Sequence, residues 1–374
     1  MLKCYTKFWE MNECIREYFF RFNRYSMNRK SLLFAIVGVT ILLCPGIIQA
    51  HINPEAVTVR KIWSDEHHNA FTGLLFFKGN FYCSFRQGKH HASGDKGVVR
   101  VIKSQDGIKW ESVAVLEKEG YDLRDPKLSV TPQGKIMIIM GGSVYKNGER
   151  QSMLSHVSFS DKNGNRFSSP VAIKVEKRNK TANDWMWRVT WHHSVGYAVL
   201  QRVNPRTSLL FKTRNGRKYK LITDFSEQIS GGPGESTVRI SPDGEMFMMA
   251  RRRTGNGLWG RSEPPYLDWE WSDTGIRMGG PDFVPLNDSF YIAGTRVANN
   301  QPYYTGLFLV NKEGHFTEIY KLPSGGDNSY PGIVVENNKI YVSYYSSHEG
   351  NASIYFAEIP VSAVKDQLKS LMNK

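Results

Sequence analysis

The stretch Thr237–Met249, TVRISPDGEMFMM, decides how this chain folds. A short strand leads into a tight polar turn at Gly244 and out into a strongly apolar strand, which by its turn chemistry is a β-hairpin. The pattern returns on both sides of it, as Gly73–Phe85, Lys127–Ile139, a weaker Arg188–Leu200, Asp282–Ile292 and Gly332–Ser343. The turns fall near Gly79, Gly134, Gly196, Gly244, Asp288 and Asn338, at spacings of 55, 62, 48, 44 and 50 residues. A single blade cannot bury both of its faces, so blades of this kind must stack in a ring. The spacing therefore predicts an all-β fold, a six-bladed β-propeller with one four-stranded blade per hairpin.

Composition agrees. The chain has 374 residues, 40% hydrophobic and 22% charged, too apolar for wholesale disorder. Aromatics make up 13% and there are 33 glycines, an all-β signature rather than a helical one. The only helical period is a short C-terminal one over Val361–Met372, and no linker or second domain is visible.

Residues 1–50 read as a secretory signal peptide. Arg29 and Lys30 precede the apolar run Ser31–Leu43, and Ile48, Gln49 and Ala50 form the cleavage site. Met27 opens a well-formed signal, which makes residues 1–26 an over-extended start. The run is shorter than the roughly 20 residues of a membrane-spanning helix. Export with cleavage after Ala50 and no stable membrane insertion is therefore expected, leaving 51–374 as a single propeller domain of 324 residues, or 54 per blade. Cys83 is then the one remaining cysteine, so no internal disulfide is possible. Seven Lys/Arg and three Asp/Glu fall in the first fifty residues, and the remaining 42 and 32 give +10. That charge is dispersed, with no Lys/Arg-dense helix and no nucleic-acid motif. It suits anionic ligands such as acidic glycans and equally a solvated basic surface.

A second element recurs between hairpins. Ser104–Trp110 (SQDGIKW) is repeated as Thr213–Tyr219 (TRNGRKY) and more loosely as Asp161–Phe167 (DKNGNRF). In each, Asp or Asn bonds the turn amides, Gly takes the positive φ and an aromatic packs on the blade, a structural staple without chemistry. Residues just before each inner strand open onto one end of the axis, the usual ligand face of a propeller. They are His68 and Asn69, Arg124 and Asp125, Trp187 and Arg188, Glu235, Asp282, and Ser329 and Tyr330. The second strands end in Arg86, Arg202, Arg251 to Arg253, and Arg296. Any one such arginine is more often a surface charge or an ion pair between blades than a ligand contact. The histidines come as adjacent pairs (His67 and His68, His90 and His91, His192 and His193) whose members point to opposite faces of a strand, a poor arrangement for one metal. They read as sugar contacts or surface groups. Trp185, Trp187 and Trp191 can stack on a sugar ring, though core packing is the commoner fate.

The staples resemble the Asp boxes of the sialidase superfamily, and the resemblance extends to single residues. Glu235–Arg251 is similar to the sialidase segment with the catalytic Glu and the second arginine of the carboxylate-binding triad, and Arg296 is placed like the third. Tyr330–Asn338 (YPGIVVENN) resembles the segment of the nucleophilic Tyr, and Asp95 is placed like the acid/base Asp. The departure is in blade 1, where His68–Phe71 (HNAF) stands in place of the Arg-Ile-Pro-type motif. Arg124, in an Arg-x-Pro-x-Leu form one blade late, or Arg86 could swing in for the missing arginine.

The resemblance implies an exported glycoside hydrolase that releases a terminal acidic sugar, with Tyr330 and Glu235 as nucleophile pair, Asp95 as acid/base, and neither metal nor cofactor. A neutral Tyr avoids the repulsion a carboxylate nucleophile would meet on an anionic substrate, and Glu235 removes its proton. Three alternatives stand beside this reading. One is a non-catalytic glycan-binding propeller. Another is a polysaccharide lyase. The third is a five-bladed fructan-type glycosidase, suggested by Asn69–Gly73 and by Arg124-Asp125-Pro126, although Ala70 sits where its nucleophilic Asp would be.

Overall fold

The computed structural model describes residues 52–92, 96–176 and 183–372. Each of the six hairpins is the inner antiparallel pair of a separate sheet. The inner strands are His68–Phe77, Asp122–Val130, Asp184–His192, Pro233–Ile240, Met278–Pro285 and Asn328–Glu336, in blades 1 to 6. The strand Thr58–Trp63 pairs antiparallel with Ser353–Pro360 and supplies the outermost strand of blade 6, so the two ends of the domain close the ring together. The hairpin pattern gave no sign of this closing strand, nor of the two-residue strand Lys174–Val175, which joins blade 3 in parallel with Lys218–Asp224. Six sheets exclude the five-bladed alternative. A 3₁₀ turn, Val361–Val364, and a helix, Lys365–Met372, end the chain.

Strand alternation explains why the blades must stack. In Met246–Arg252, Phe247 and Met249 pack against Phe283 and Tyr291 of blade 5, while Met246, Met248 and Ala250 pack against Val199 and Leu210 of blade 3. In Ile136–Lys146, Met137 and Ile139 face blade 3, and Ile136, Ile138 and Met140 face blade 1. Both faces of every blade are apolar, and the core is six seams rather than one centre.

All six inner strands break register at the same height. The extra residue pairs are Phe71-Thr72, Asp125-Pro126, Trp187-Arg188, Gly234-Glu235, Gly280-Pro281 and Tyr330-Pro331. A bulge turns a side chain away from the alternation of its strand. Here the bulges of blades 1, 2, 4 and 6 bring Phe71, Asp125, Glu235 and Tyr330 to one end of the axis. Phe71, Asp125 and Tyr330 hold φ of 64°, 52° and 45°, a region that costs bulky residues energy and is kept only where surrounding structure enforces it.

Candidate active site

Tyr330 and Glu235 meet at the funnel end of the axis. The Tyr330 hydroxyl donates to Glu235 Oε1 at 3.1 Å, across 95 residues and from blade 6 to blade 4. Arg251 Nη1 bridges the pair, 2.6 Å from Glu235 Oε1 and 3.1 Å from Tyr330 Oη. Burial pushes the Glu235 carboxyl up, but the Arg251 charge and hydrogen bond outweigh it, and the group stays below the usual carboxylate range. Burial, and then the Glu235 charge, push the Tyr330 phenol above its ordinary value, against Arg251 and Arg296. The resting pair is thus a neutral phenol hydrogen-bonded to a carboxylate.

The Tyr330 ring is held on all sides. Phe71, Tyr345 and Trp187 lie with ring centres 5.2, 6.1 and 5.8 Å away. On blade 5, a Cβ at Gly280 would stand 1.2 Å from Tyr330 Cδ1, and Gly280 itself has φ of 60°. Only glycine fits there, both for the backbone and for the ring it faces.

The arginines divide. Arg251 points inward, while Arg252 turns out to Asn256 O and Asp273. Arg296 places its guanidinium 5.5 Å from the Tyr330 ring centre and donates to Asn328 O, Asp327 and the Tyr345 hydroxyl. At the blade 1 bulge stands Phe71, and Arg124 from blade 2 lays its guanidinium over that ring at 4.9 Å, steadied by Asp125 at 3.0 Å. Arg86 does not swing in. It is wholly buried between blades 1 and 2, with Nε 2.8 Å from Asp122 and Nη1 2.6 Å from His90 O. Arg202 pairs with Asp184 on the neighbouring strand.

Three more residues expected on the funnel surface are seated elsewhere. Asp282 comes after its bulge, one level down the axis, where Arg188 (3.1 Å) and Arg239 (2.7 Å) occupy its two oxygens. Asn69 is buried and bonds Asp65, the carbonyl of His67 and Gln87. Trp187 is 1% exposed and packs beneath Tyr330 rather than facing solvent. Beside it, the buried Lys127 donates to Thr72 O at 2.7 Å and lies 4.7 Å from the Trp187 ring centre. Burial, and then the charge of Arg188, bring its pKa down to about 7 against the pull of Asp125, Asp282 and Glu235. Asp95 and the signal segment lie outside the described residues.

The sequence reading missed the convergence of His68 and His91 on Asp327. His68 Nε2 and His91 Nδ1 lie 2.8 and 2.5 Å from Asp327 Oδ2, and the three ligand atoms fall within 4.8 Å of one another. The two histidines come from different adjacent pairs, so the strand alternation that separates the members of one pair does not separate them. A metal would face competition, however. Arg296 and the Tyr345 hydroxyl bind the other Asp327 oxygen at 3.3 and 2.9 Å, and a guanidinium that close opposes a cation. Hydrogen bonds from His68 and His91 overcome burial and hold Asp327 far below the usual carboxylate range. The cluster is a wall of hydrogen bonds that anchors Arg296 beside Tyr330. Arg150 and Arg206, which lie beside Arg253, were also missed. All three arginines line a cleft of about 180 Å³ whose inner wall is Glu235 and Arg251.

No protein-family model matches the chain, and no curated protein matches it by sequence. Solved structures do match. A protein of unknown function from Dyadobacter fermentans superposes with a TM-score of 0.72 at 18% identity, over 82% of this chain and 100% of that one. A Trypanosoma rangeli sialidase mutant displaying trans-sialidase activity gives 0.66 at 11% identity, over 87% of this chain and 62% of the sialidase. The Penicillium chrysogenum alpha-L-arabinanase complexed with arabinobiose gives 0.63 at 16%, over 82% and 98%. The chain therefore spans less than two thirds of the sialidase but nearly all of the arabinanase. The likeness defines the class of fold, a sialidase-like six-bladed propeller of the kind found in glycosidases.

Proposed function

We propose that the protein is an exported glycoside hydrolase that releases an acidic sugar from glycans, with Tyr330 as nucleophile. The observation that carries this reading is the buried hydrogen bond of 3.1 Å between Tyr330 and Glu235, shared with Arg251. Glu235, kept ionised by Arg251, takes the phenolic proton as Tyr330 attacks the anomeric carbon. The glycosidic C–O bond breaks, and Asp95 protonates the leaving oxygen. Water then attacks the glycosyl-tyrosine, Asp95 takes its proton, and Glu235 returns the first proton to Tyr330.

Arg251, Arg296 and Arg124 lie around the pair and supply the positive charge for the substrate anion, with Arg124 over Phe71 in place of an arginine from blade 1. The part given to Asp95 rests on sequence alone, as does export, which N-terminal sequencing of the secreted protein checks. Digestion of a glycan panel with mass detection tests the activity. A released reducing sugar supports hydrolysis. An unsaturated uronate would make the protein a lyase, and unchanged glycans that still bind would make it a lectin. On a substrate found this way, Tyr330→Phe and Glu235→Gln should each abolish turnover while ligand binding persists. Full turnover by Tyr330→Phe would end the proposal.

A further inference from the structure

The cleft beside Glu235 carries more positive charge than the reaction accounts for. Its walls bring four arginines together: Arg150, Arg206, Arg251 and Arg253. Their one carboxylate, Glu235, is fully engaged by Arg251. Arg150, Arg206 and Arg253 form no ion pair among the described residues. Burial, and then the charges of Arg253 and Arg251, push the Arg206 guanidinium below its ordinary value, with Arg150 adding to the effect and Glu235 opposing it. Arg150 arrives from an unusually long hairpin. The two strands of blade 2 that carry it, Ile136–Lys146 and Glu149–Phe159, have 11 residues each, against 7 in Met246–Arg252, and rise past the rim at the funnel end.

A second observation points to a ligand rather than to a solvated basic surface. Trp185 and Gln201 are directly opposed across the inner hairpin of blade 3 and line the same cleft. Gln201 is 6% exposed, yet among the described residues neither its buried Oε1 nor the buried Trp185 Nε1 has a hydrogen-bond partner. A buried acceptor and a buried donor without partners destabilise a fold unless something that enters the cleft pairs with them. A sugar offers that, since each hydroxyl both donates and accepts.

We propose that this cleft is a second acidic-sugar subsite. Arg206 and Arg253 would hold the carboxylate or sulfate of a sugar next to the one at Tyr330, with Arg150 above them. Gln201 Oε1 would accept from a hydroxyl of that sugar, and Trp185 Nε1 would donate to it. The substrate is then an oligosaccharide that is anionic on consecutive sugars, not a neutral glycan with a single acidic end. The inference rests on the proposed function only in taking Glu235 as the reacting end of the cleft.

Titration calorimetry on the full chain tests it by binding alone. The probes are tetragalacturonate, its fully methyl-esterified form, and a sulfated galactan tetrasaccharide, each in low and in moderate salt. At least one anionic probe should bind about tenfold more tightly than the ester, with the gap narrowing as salt screens the charges. Whichever anion binds more tightly assigns carboxylate or sulfate. The double variant Arg206→Gln/Arg253→Gln should narrow the gap to the part that Arg251, Arg296 and Arg124 supply and leave binding of the ester unchanged, and Arg206→Lys/Arg253→Lys should narrow it less. Unchanged melting temperatures would show that these variants fold. Equal binding of ester and anions by the unmodified protein would overturn the subsite, and so would a gap of undiminished size in the glutamine variant. Neither result depends on turnover, so a Tyr330→Phe variant that stayed active would defeat the hydrolase reading without touching this one.

Discussion

At the end of the blades away from the funnel, Asp106 Oδ1 accepts the amides of Ile108 and Lys109 at 2.8 and 2.9 Å. Asn215 does the same for Arg217 and Lys218, and Asp161 for Asn163 and Asn165. Every partner lies within four residues. At the funnel end, Tyr330 reaches Glu235 across 95 residues, and Asp327 reaches His68 across 259 and His91 across 236. The lower turns are local and repeat, so each can form before the ring does. The funnel contacts exist only once the ring has closed. Stability is shared out among the seams and staples, and the proposed chemistry falls where strained bulges face one another.

This contrast can be broken in four places. The largest effect should come from Gly280→Ala, because the added methyl occupies the space of the Tyr330 ring. We expect turnover to fall about 100-fold or more, the scale of a misplacement near 1 Å in a reacting group. An unchanged rate would show that the ring position is not critical. Next is Arg86→Ala, which strands the buried Asp122 between blades 1 and 2. Unfolding by urea should show a loss of about 3–5 kcal/mol, the usual result of leaving half of a buried pair.

Lys127 should give a smaller, pH-dependent effect. Its pKa in the folded protein, about 7, lies below the value near 10.5 of the unfolded chain. Between those two values the unfolded state binds the extra proton, so folding stability rises with pH. Relative to Lys127→Met, the wild type should therefore gain stability as pH rises from 7 towards 10, and should show its full handicap below 7. A pH-independent difference would contradict the burial of an ionisable amine there. The smallest effect should come from Asp106→Ala. It removes an exposed staple, so the melting temperature should fall less than in Arg86→Ala, with turnover on any verified substrate unchanged.

The same contrast explains what the sequence made legible. The six hairpins announce themselves through local turn chemistry, even the weak copy at Arg188–Leu200, because a hairpin needs only neighbours. The strand Thr58–Trp63 gave no signal, since its partners are 291 or more residues away and its blade is completed by the far end of the chain. At the funnel, the rule that residues before inner strands share one end of the axis placed Tyr330 and Glu235 together. It could not tell which of their companions turn inward. The bulge sets that, and it moves Asp282 below the funnel while leaving Asn69 in a side network. Arg86 and Arg251 both follow an apolar second strand, yet one meets Asp122 of the next blade and the other meets Glu235. Arg150 and Arg206 lie at strand ends that the rule never considered.

The central claim is that Tyr330 bonds covalently to the sugar during turnover. Once the glycan panel has identified the released sugar, its 2-deoxy-2-fluoro or 3-fluoro analogue with a good leaving group should slow the second step and let the intermediate accumulate. Rapid quench, proteolysis and mass spectrometry should then show the peptide containing Tyr330 heavier by one glycosyl residue, and no such peptide from Tyr330→Phe. An adduct on a carboxylate residue instead, or full turnover by Tyr330→Phe, would contradict the account.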